Sequence, residues 1–449
     1  MTHTLERLRA GKLLGTRRLK LANGLAEFPR EIFDLADSLE ILDLSGNALS
    51  SLPDDLPRLG KLRIIFCSDN QFEALPEVLG RCPRLDMVGF KANQIREVAA
   101  GSLPARLRWL ILTDNRIETL PAEIGNCRQL QKLMLAGNRL QTLPASLAAC
   151  SRLELLRIAA NRLREFPDVL LALPRLAWLA YAGNPFCAAH ELSALAGTAI
   201  AEIDWSELRI GQPLGEGASG VIHQAEHHHA DGRRAVAVKA FKGALTSDGL
   251  PRSEMAACIA AGEHANLIPA LGKVKGHPTA CDALVMPLID PGFGNLAGPP
   301  SLESCTRDIY AAELSFAADS LLEIARGIAS AAGHLHRRGI LHGDLYGHNI
   351  LHCGRGQPRA LLGDFGAASF FAPGTVQANA LQRLEVRAFG VLLAELIDRC
   401  EVPAETAVTE TSRHVLTRLG DLKTACLDDE AARRPLFDEI ERTLASLAG

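Results

Sequence analysis

One asparagine recurs along the first half of the chain at nearly constant intervals, and no other feature limits the possible folds so tightly. It stands at Asn47, Asn70, Asn93, Asn115, Asn138, Asn161 and Asn184, with steps of 23, 23, 22, 23, 23 and 23 residues. The same frame surrounds each copy, L-x-x-L-x-L-x-x-N-x-L-x-x-L-P, as in Leu130, Leu133, Leu135, Asn138, Leu140, Leu143 and Pro144. The L-x-L triplet alternates like a short strand, and the residues after the asparagine must fold back to cover the leucines. A single copy has one apolar side and nothing to bury it against, so the copies must stack into one continuous core. The asparagines fall in turns, where a side-chain amide can satisfy backbone groups. They read as a structural ladder rather than a catalytic set.

This frame resembles the leucine-rich repeat family. Seven strong copies and a degenerate one around Asn23 cover residues 19–187, behind an N-terminal cap at 1–18. The resemblance implies an α/β solenoid whose strands line a concave face. The outward strand positions include Phe66, Met87, Trp109, Ile111, Met134 and Trp178, with two of the three tryptophans of the chain. Such a stripe reads as a surface for a protein or peptide, either a separate ligand or the second half of the chain. The plainer alternative is tolerated apolar area or cover from another segment.

Composition narrows the rest. Lys and Arg total 48 against 52 Asp and Glu, so the net charge of −4 gives no electrostatic reason to expect nucleic acid as a partner. A hydrophobic content of 47% excludes a disordered chain. No apolar run approaches the ~18 residues of a membrane span, and the N-terminus lacks a secretory apolar core. The expectation is a cytoplasmic protein that does not enter the membrane. The cysteine count of 11 is odd and contains no C-x-x-C pair, which argues against a zinc site or a disulfide framework. Cys67, Cys82, Cys127 and Cys150 take leucine-like positions in the repeats and read as core residues.

The periodicity stops after Asn184-Pro185, and residues 188–208 read as a short helix and linker. A strand-like stretch then carries Leu214, Gly215, Glu216, Gly217, Ala218, Ser219, Gly220, Val221 and Ile222, followed by Val236-Ala237-Val238-Lys239. Glycines let a backbone approach phosphates closely, and a strand-end lysine supplies a fixed cation. His227-His228-His229 beside Asp231-Gly232 read as an exposed turn. Downstream stand His342-Gly343-Asp344-Leu345-Tyr346-Gly347-His348-Asn349 and Gly363-Asp364-Phe365-Gly366.

In this order the motifs resemble the protein kinase family over residues 209–445, and imply a two-lobed α+β fold that binds ATP and Mg²⁺ and modifies a protein substrate. By that resemblance Lys239 contacts the α/β-phosphates and pairs with Glu254, which lies ten residues before the bend at His264-Ala265-Asn266-Leu267-Ile268. Asp344 orients the acceptor hydroxyl, while Asn349 and Asp364 hold Mg²⁺. Leu214, Ile222, Ala237 and Leu351 enclose the adenine, and Met286, Leu288 and Ile289 belong to the inter-lobe hinge. Taken singly, Lys239 reads as well as a solvated strand end, and Asp344 or Asp364 as a loop residue. Arg434-Pro435-Leu436-Phe437 resembles the C-terminal signature of tyrosine-kinase-like enzymes, and transfer to serine or threonine is the expectation.

The chain also departs from that pattern. Gly343 replaces the arginine that reads an activation-loop phosphate in many kinases, and Tyr346 replaces the lysine beside the γ-phosphate in serine/threonine kinases. Only Ser369 and Thr375 carry hydroxyls between Asp364 and Glu385, and no A-P-E motif lies there to partner Arg434. Substitution of both hydroxyl residues by alanine is therefore expected to leave most activity in place. His-Gly-Asp with a downstream Asn is also similar to small-molecule phosphotransferases of the aminoglycoside and choline type, which, with a non-enzymatic ATP-binding scaffold, is the alternative reading.

Overall fold

The computed structural model describes residues 3–197, 200–217, 219–229, 232–243, 245–354, 359–400 and 410–447. It forms two compact units, Met1–Leu176 with Asn184–Phe186, and Ala177–Gly183 with Cys187–Gly449.

In the first unit a short helix α1 (Leu5–Arg9) begins behind Thr4, whose hydroxyl accepts the Arg7 amide. Each repeat then contributes one three-residue strand. These are β1 (Arg18–Lys20), β2 (Ile41–Asp43), β3 (Ile64–Phe66), β4 (Met87–Gly89), β5 (Trp109–Ile111), β6 (Lys132–Met134) and β7 (Leu155–Arg157). They pair in parallel and in sequence order, so that Trp109 lies between Met87 and Lys132. The return segments are 3₁₀ turns, and several start at the proline of the repeat frame, including Pro76, Pro121, Pro144 and Pro167. Proline suits that place because its φ is fixed and the first amide of a helical turn has no partner to lose.

The ladder of asparagines is the unit's internal frame. The Asn138 carboxamide accepts the Ile117 amide at 3.0 Å and donates to the carbonyls of Leu112 and Leu135 at 2.8 and 3.0 Å. The same acceptor bond links Asn70 to Leu49, Asn93 to Phe72, Asn115 to Ile95 and Asn161 to Leu140. On the concave strands, Lys132 lies 4.3 Å from the centroid of the Trp109 ring. Phe66, Trp109, Ile111 and Met134 are half-buried, but Met87 is fully buried between the neighbouring strand residues. The apolar stripe expected from the sequence is therefore interrupted at Met87.

The second unit takes in the last repeat strand, β8 (Trp178–Ala180), and then α2 (Ala188–Gly197) and β9 (Ala201–Asp204). Its larger sheet continues with β10 (Leu208–Glu216), β11 (Gly220–His229), β12 (Gly232–Phe241), α3 (Pro251–Ala261), β13 (Gly272–Lys275) and β14 (Ala283–Pro287), in the strand order β10-β11-β12-β14-β13-β9. The segment read as a linker at 188–208 is thus a helix followed by an edge strand. Ile203 of β9 is buried and packs with Leu208, Val236, Val238, Val274 and Val285, which is why a connector becomes part of the sheet. His227–His229 do not form a turn. They end β11 opposite Arg234, Arg233 and Gly232, and Asp231 lies outside the described residues.

The remainder is mainly helical. After β15 (Gly294–Asn295) come α4 (Ala318–Arg337), β16 (Ile340–Leu341), β17 (Ile350–Cys353), β18 (Arg359–Leu362), β19 (Ser369–Phe370), α5 (Val376–Ile397), α6 (Glu410–Cys426) and α7 (Phe437–Ala445). Helix α4 buries Leu321, Ile324, Ala325, Ile328, Ala332 and Leu335, an i, i+3, i+4 stripe. Five residues separate helix α5 from β19, and the Thr375 hydroxyl caps the Ala378 amide at 3.0 Å. Every cysteine is a free thiol, and Cys67, Cys82, Cys127 and Cys150 are buried.

Replacing Asn138 by alanine removes three hydrogen bonds and leaves a buried amide and carbonyls short of partners. The expected cost is about 3 kcal/mol, read as a fall in the urea midpoint of the repeat unit, with Asn138→Asp intermediate.

Candidate active site

The sheet and the helical half of the second unit meet at a cleft lined by Gly217, Ser219, Gly220, Ile222, Lys239, Glu254, Met286 and Asp364, all anticipated from the sequence. Thr246, Asp248, Cys258 and Ile268 also line it and were not anticipated. Cys258 follows Glu254 by one helical turn, a spacing that could have revealed it. Ile268 ends the bend at His264-Ala265-Asn266-Leu267-Ile268. Register places Ile222 opposite Lys239, and Ala237 opposite Met286. Val221, Leu288, Ile289 and Leu351 are half-buried and do not line the cleft, and Gly215, Glu216 and Leu214 are exposed. Ala218 lies outside the described residues.

Lys239 and Glu254 form a buried ion pair from β12 to α3. Burial pushes Lys239 down, but Glu254 and Asp364 together hold its ammonium above the ordinary value. Burial pushes the Glu254 carboxyl up, against the pull of Lys239. The pair exists because α3, rich in small alanines, is buried along almost its whole length and presents Glu254 inward.

The loop after β16 carries Asp344. Its shape is imposed by Glu385 on α5, a carboxylate 1% exposed. Glu385 accepts the Gly343 amide at 2.6 Å, the His342 amide at 3.2 Å and the His336 Nε2–H at 2.7 Å. Burial would raise its carboxyl, yet His336, His342 and the Gly343 amide hold it below the ordinary range. His342 Nε2 donates to the Gly363 carbonyl at 2.9 Å, which ties this loop to the residue before Asp364. Asn349 Nδ2 donates to the carbonyl and the carboxylate of Asp344 at 2.9 and 2.8 Å.

The β17–β18 hairpin pairs Ile350 with Leu362, and the Gly363 amide donates to the Asn349 carbonyl at 3.0 Å. Asn349 and Asp364 therefore emerge at the same end of one hairpin, with Asp364 exposed. A carboxylate and a carboxamide oxygen suit a hard divalent cation that takes its remaining ligands from phosphate and water. Asp364 has a φ of 55°, a left-handed conformation that turns the chain sharply at this point. Arg434, which has no A-P-E glutamate to meet, donates instead to the carbonyls of Asp428 and Arg383 at 2.8 and 3.0 Å.

A polar cluster outside the family-like motifs supports the same loop. Asp308 accepts the His348 amide and the His348 Nδ1–H at 2.9 and 2.7 Å, and Tyr310 donates to Glu395 at 3.0 Å. Burial, with Asp308 nearby, pushes the Glu395 carboxyl up to about 7. A carboxyl whose folded pKa is raised adds stability below its ordinary value of 4.5 and loses that contribution as pH climbs through about 7. Between pH 5 and pH 8 the protein should lose about 2 kcal/mol that Glu395→Gln does not lose. Isothermal denaturation of both proteins at the two pH values reads the difference.

The comparisons agree with this arrangement. The protein kinase domain family matches residues 208–384, and leucine-rich repeat families match residues 38–59 and 105–163. A solved leucine-rich repeat protein of Leptospira interrogans is 26% identical over 36% of this chain, with a TM-score of 0.32, and the chain spans about half (48%) of that protein's length. No curated protein matches the chain. No helix among the described residues is long and apolar enough to cross a membrane. This chain joins leucine-rich repeats to a protein kinase domain.

Proposed function

We propose that the second unit transfers the γ-phosphoryl group of ATP to serine or threonine hydroxyls of proteins, in the cytoplasm, and that the repeats recruit a protein ligand. The observation that carries this reading is the coexistence of the Lys239–Glu254 ion pair with the Asp344–Asn349 hydrogen bonds beside Asp364. Phosphoryl transfer needs little covalent chemistry from the protein. It needs phosphates, cation and acceptor held in line, with fixed charge where negative charge develops.

In this reading Lys239 grips the α/β-phosphates, and Glu254 keeps the ammonium aimed into the cleft. Asp344 receives the acceptor proton, and the Asn349 amide holds its carboxylate in one orientation. Asn349 and Asp364 would hold Mg²⁺, which when bound neutralises charge on the phosphates. Ile222, Met286 and Ile268 supply apolar walls for the base, with Gly217 and Gly220 over the phosphates. Serine/threonine specificity follows the resemblance of the segment at Arg434–Phe437. The free thiols and the need for ATP support a cytoplasmic setting.

Asp344→Asn and Lys239→Met should each lower phosphate transfer at least ~10³-fold, about 4 kcal/mol of barrier, while circular dichroism and melting stay near wild type. The assay follows γ-labelled phosphate into a generic protein and, in parallel, into small amines and sugars, with phosphoamino-acid analysis of the product. Label in the small acceptors alone would replace the reading with a small-molecule phosphotransferase, and full activity in either variant would remove the assigned residue.

A further inference from the structure

The residues from Ala177 to Gly183 end the repeat pattern, yet they belong to the kinase unit. Trp178 lies flat on Tyr346, with ring centroids 4.1 Å apart and planes 8° from parallel, and its indole N–H donates to the Leu345 carbonyl at 3.0 Å. Both aromatic rings are almost fully buried, at 1% and 3% exposure. The Tyr181 and Ala182 amides donate to the Ser369 hydroxyl at 3.0 and 3.2 Å, and the Tyr181 hydroxyl donates to the Phe370 carbonyl at 3.1 Å. The Gly183 amide donates to Glu191 at 2.7 Å, and the other oxygen of Glu191 accepts the Ser253 hydroxyl at 3.4 Å, next to Glu254.

This short segment thus touches the loop of Asp344 and the strand after Asp364, and through Glu191 it is linked to the helix of Glu254. Those are the parts a kinase must bring into register before phosphate can move. In kinases switched by phosphorylation, a phosphate paired with arginine orders the activation loop. Here that device has no room. Gly343 has a φ of 74°, and a Cβ at that position would lie 2.6 Å from the carbonyl oxygens of both Leu179 and Ala367. Of the two hydroxyls in that segment, Ser369 is fully buried on the Tyr181 and Ala182 amides, while Thr375 is exposed and caps α5, and no side chain at position 343 is there to read a phosphate on it. The expectation that Ser369→Ala would be harmless is therefore revised, because it strands two buried amides.

We infer that residues 177–183, with Glu191, are a built-in brace that positions the catalytic loop, the post-Asp364 strand and the Glu254 helix, and replaces activation-loop phosphorylation. The inference rests on the kinase reading above and adds how its site is held ready. Trp178 and Tyr181 are positioning residues, acting through Tyr346, Leu345 and Ser369–Phe370. The stack takes up the face of Tyr346 that a lysine in its place would have left open.

The test uses the full chain with Trp178→Ala, Trp178→Phe and Tyr181→Phe. Hydrogen exchange is followed by mass spectrometry at residues 343–346 and 367–371, and kcat is measured per bound nucleotide analogue, so that misfolded protein is not counted. Trp178→Ala should lower kcat at least ~10-fold, about 1.4 kcal/mol of barrier, with KM for ATP unchanged. Protection should be lost in the two loops but kept in α5. Trp178→Phe should recover much of the activity, and Tyr181→Phe should lose protection at 369–371 alone. Unchanged exchange and kcat in Trp178→Ala would overturn the brace. A rise in kcat would also overturn it, by making the indole a plug over the acceptor side. If the wild-type protein transfers no phosphate, the kinase reading falls, and the exchange pattern still decides whether the segment braces these loops.

Discussion

The loop that carries Asp344 is shaped by one buried carboxylate. Glu385 sits in the middle of a buried helix and gathers the His342 and Gly343 amides and the His336 imidazole. Those bonds fix the backbone that leads into Asp344 and hold His342 where its ring meets the Gly363 carbonyl. Asp344 and Asp364 are brought together by this anchor acting with the His342–Gly363 bond and with Asn349, which joins Asp344 to the β17–β18 hairpin. The cost of burying the charge is met by the three donors together, which is the condition under which a buried carboxylate is tolerated.

The repeat unit solves a related problem by repetition. Each asparagine satisfies an amide of the preceding copy and carbonyls on both sides, so each turn is stable only because its neighbour exists. This is why the solenoid was legible in the sequence. The period, the Leu positions and the Asn role are local rules applied again and again, and stacking leaves them unchanged. What the period could not show was the fate of the outward residues. Ile64, Met87, Trp109 and Trp178 each open their strand, yet Ile64, Met87 and Trp178 are buried while Trp109 is half-buried, because exposure depends on whatever packs against each strand.

In the kinase unit the legible residues were those whose chemistry demands one residue type. Lys239, Glu254, Asp344, Asn349 and Asp364 stand out by order and spacing, because the roles proposed for them, a fixed cation, its counter-charge and oxygen ligands, admit few substitutes. The supports were harder to see. Asp308 reaches His348 from a segment with no repeat or motif, and β9 enters the sheet through a single buried isoleucine, Ile203. A packing role of this kind can be filled by many sequences, so it leaves no pattern to recognise. The adenine-side residues read from spacing, such as Leu214 and Leu351, are exposed and half-buried for the converse reason. An apolar residue at the right spacing is necessary for such a wall but does not fix where the side chain ends.

Gly343 and Tyr346 looked like two separate losses in the sequence, one of a phosphate reader and one of a phosphate-side cation. In the structure they have one cause. The chain passes so close to the catalytic loop at Leu179 that no side chain fits at position 343, and at Trp178 it offers a flat indole that an aromatic ring at position 346 can stack upon. A lysine at 346 would have met that indole with a solvated charge in a nearly dry contact, at a desolvation cost the aromatic pair avoids. The departures from the family pattern are therefore matched to residues outside the family-like segment. A division of the chain at residue 208, where the motifs begin, would remove Trp178 from Tyr346, Tyr181 from Phe370 and Ile203 from the sheet core. The folding unit and the recognisable unit of this kinase have different boundaries, and the difference lies in contacts that reach its catalytic loop.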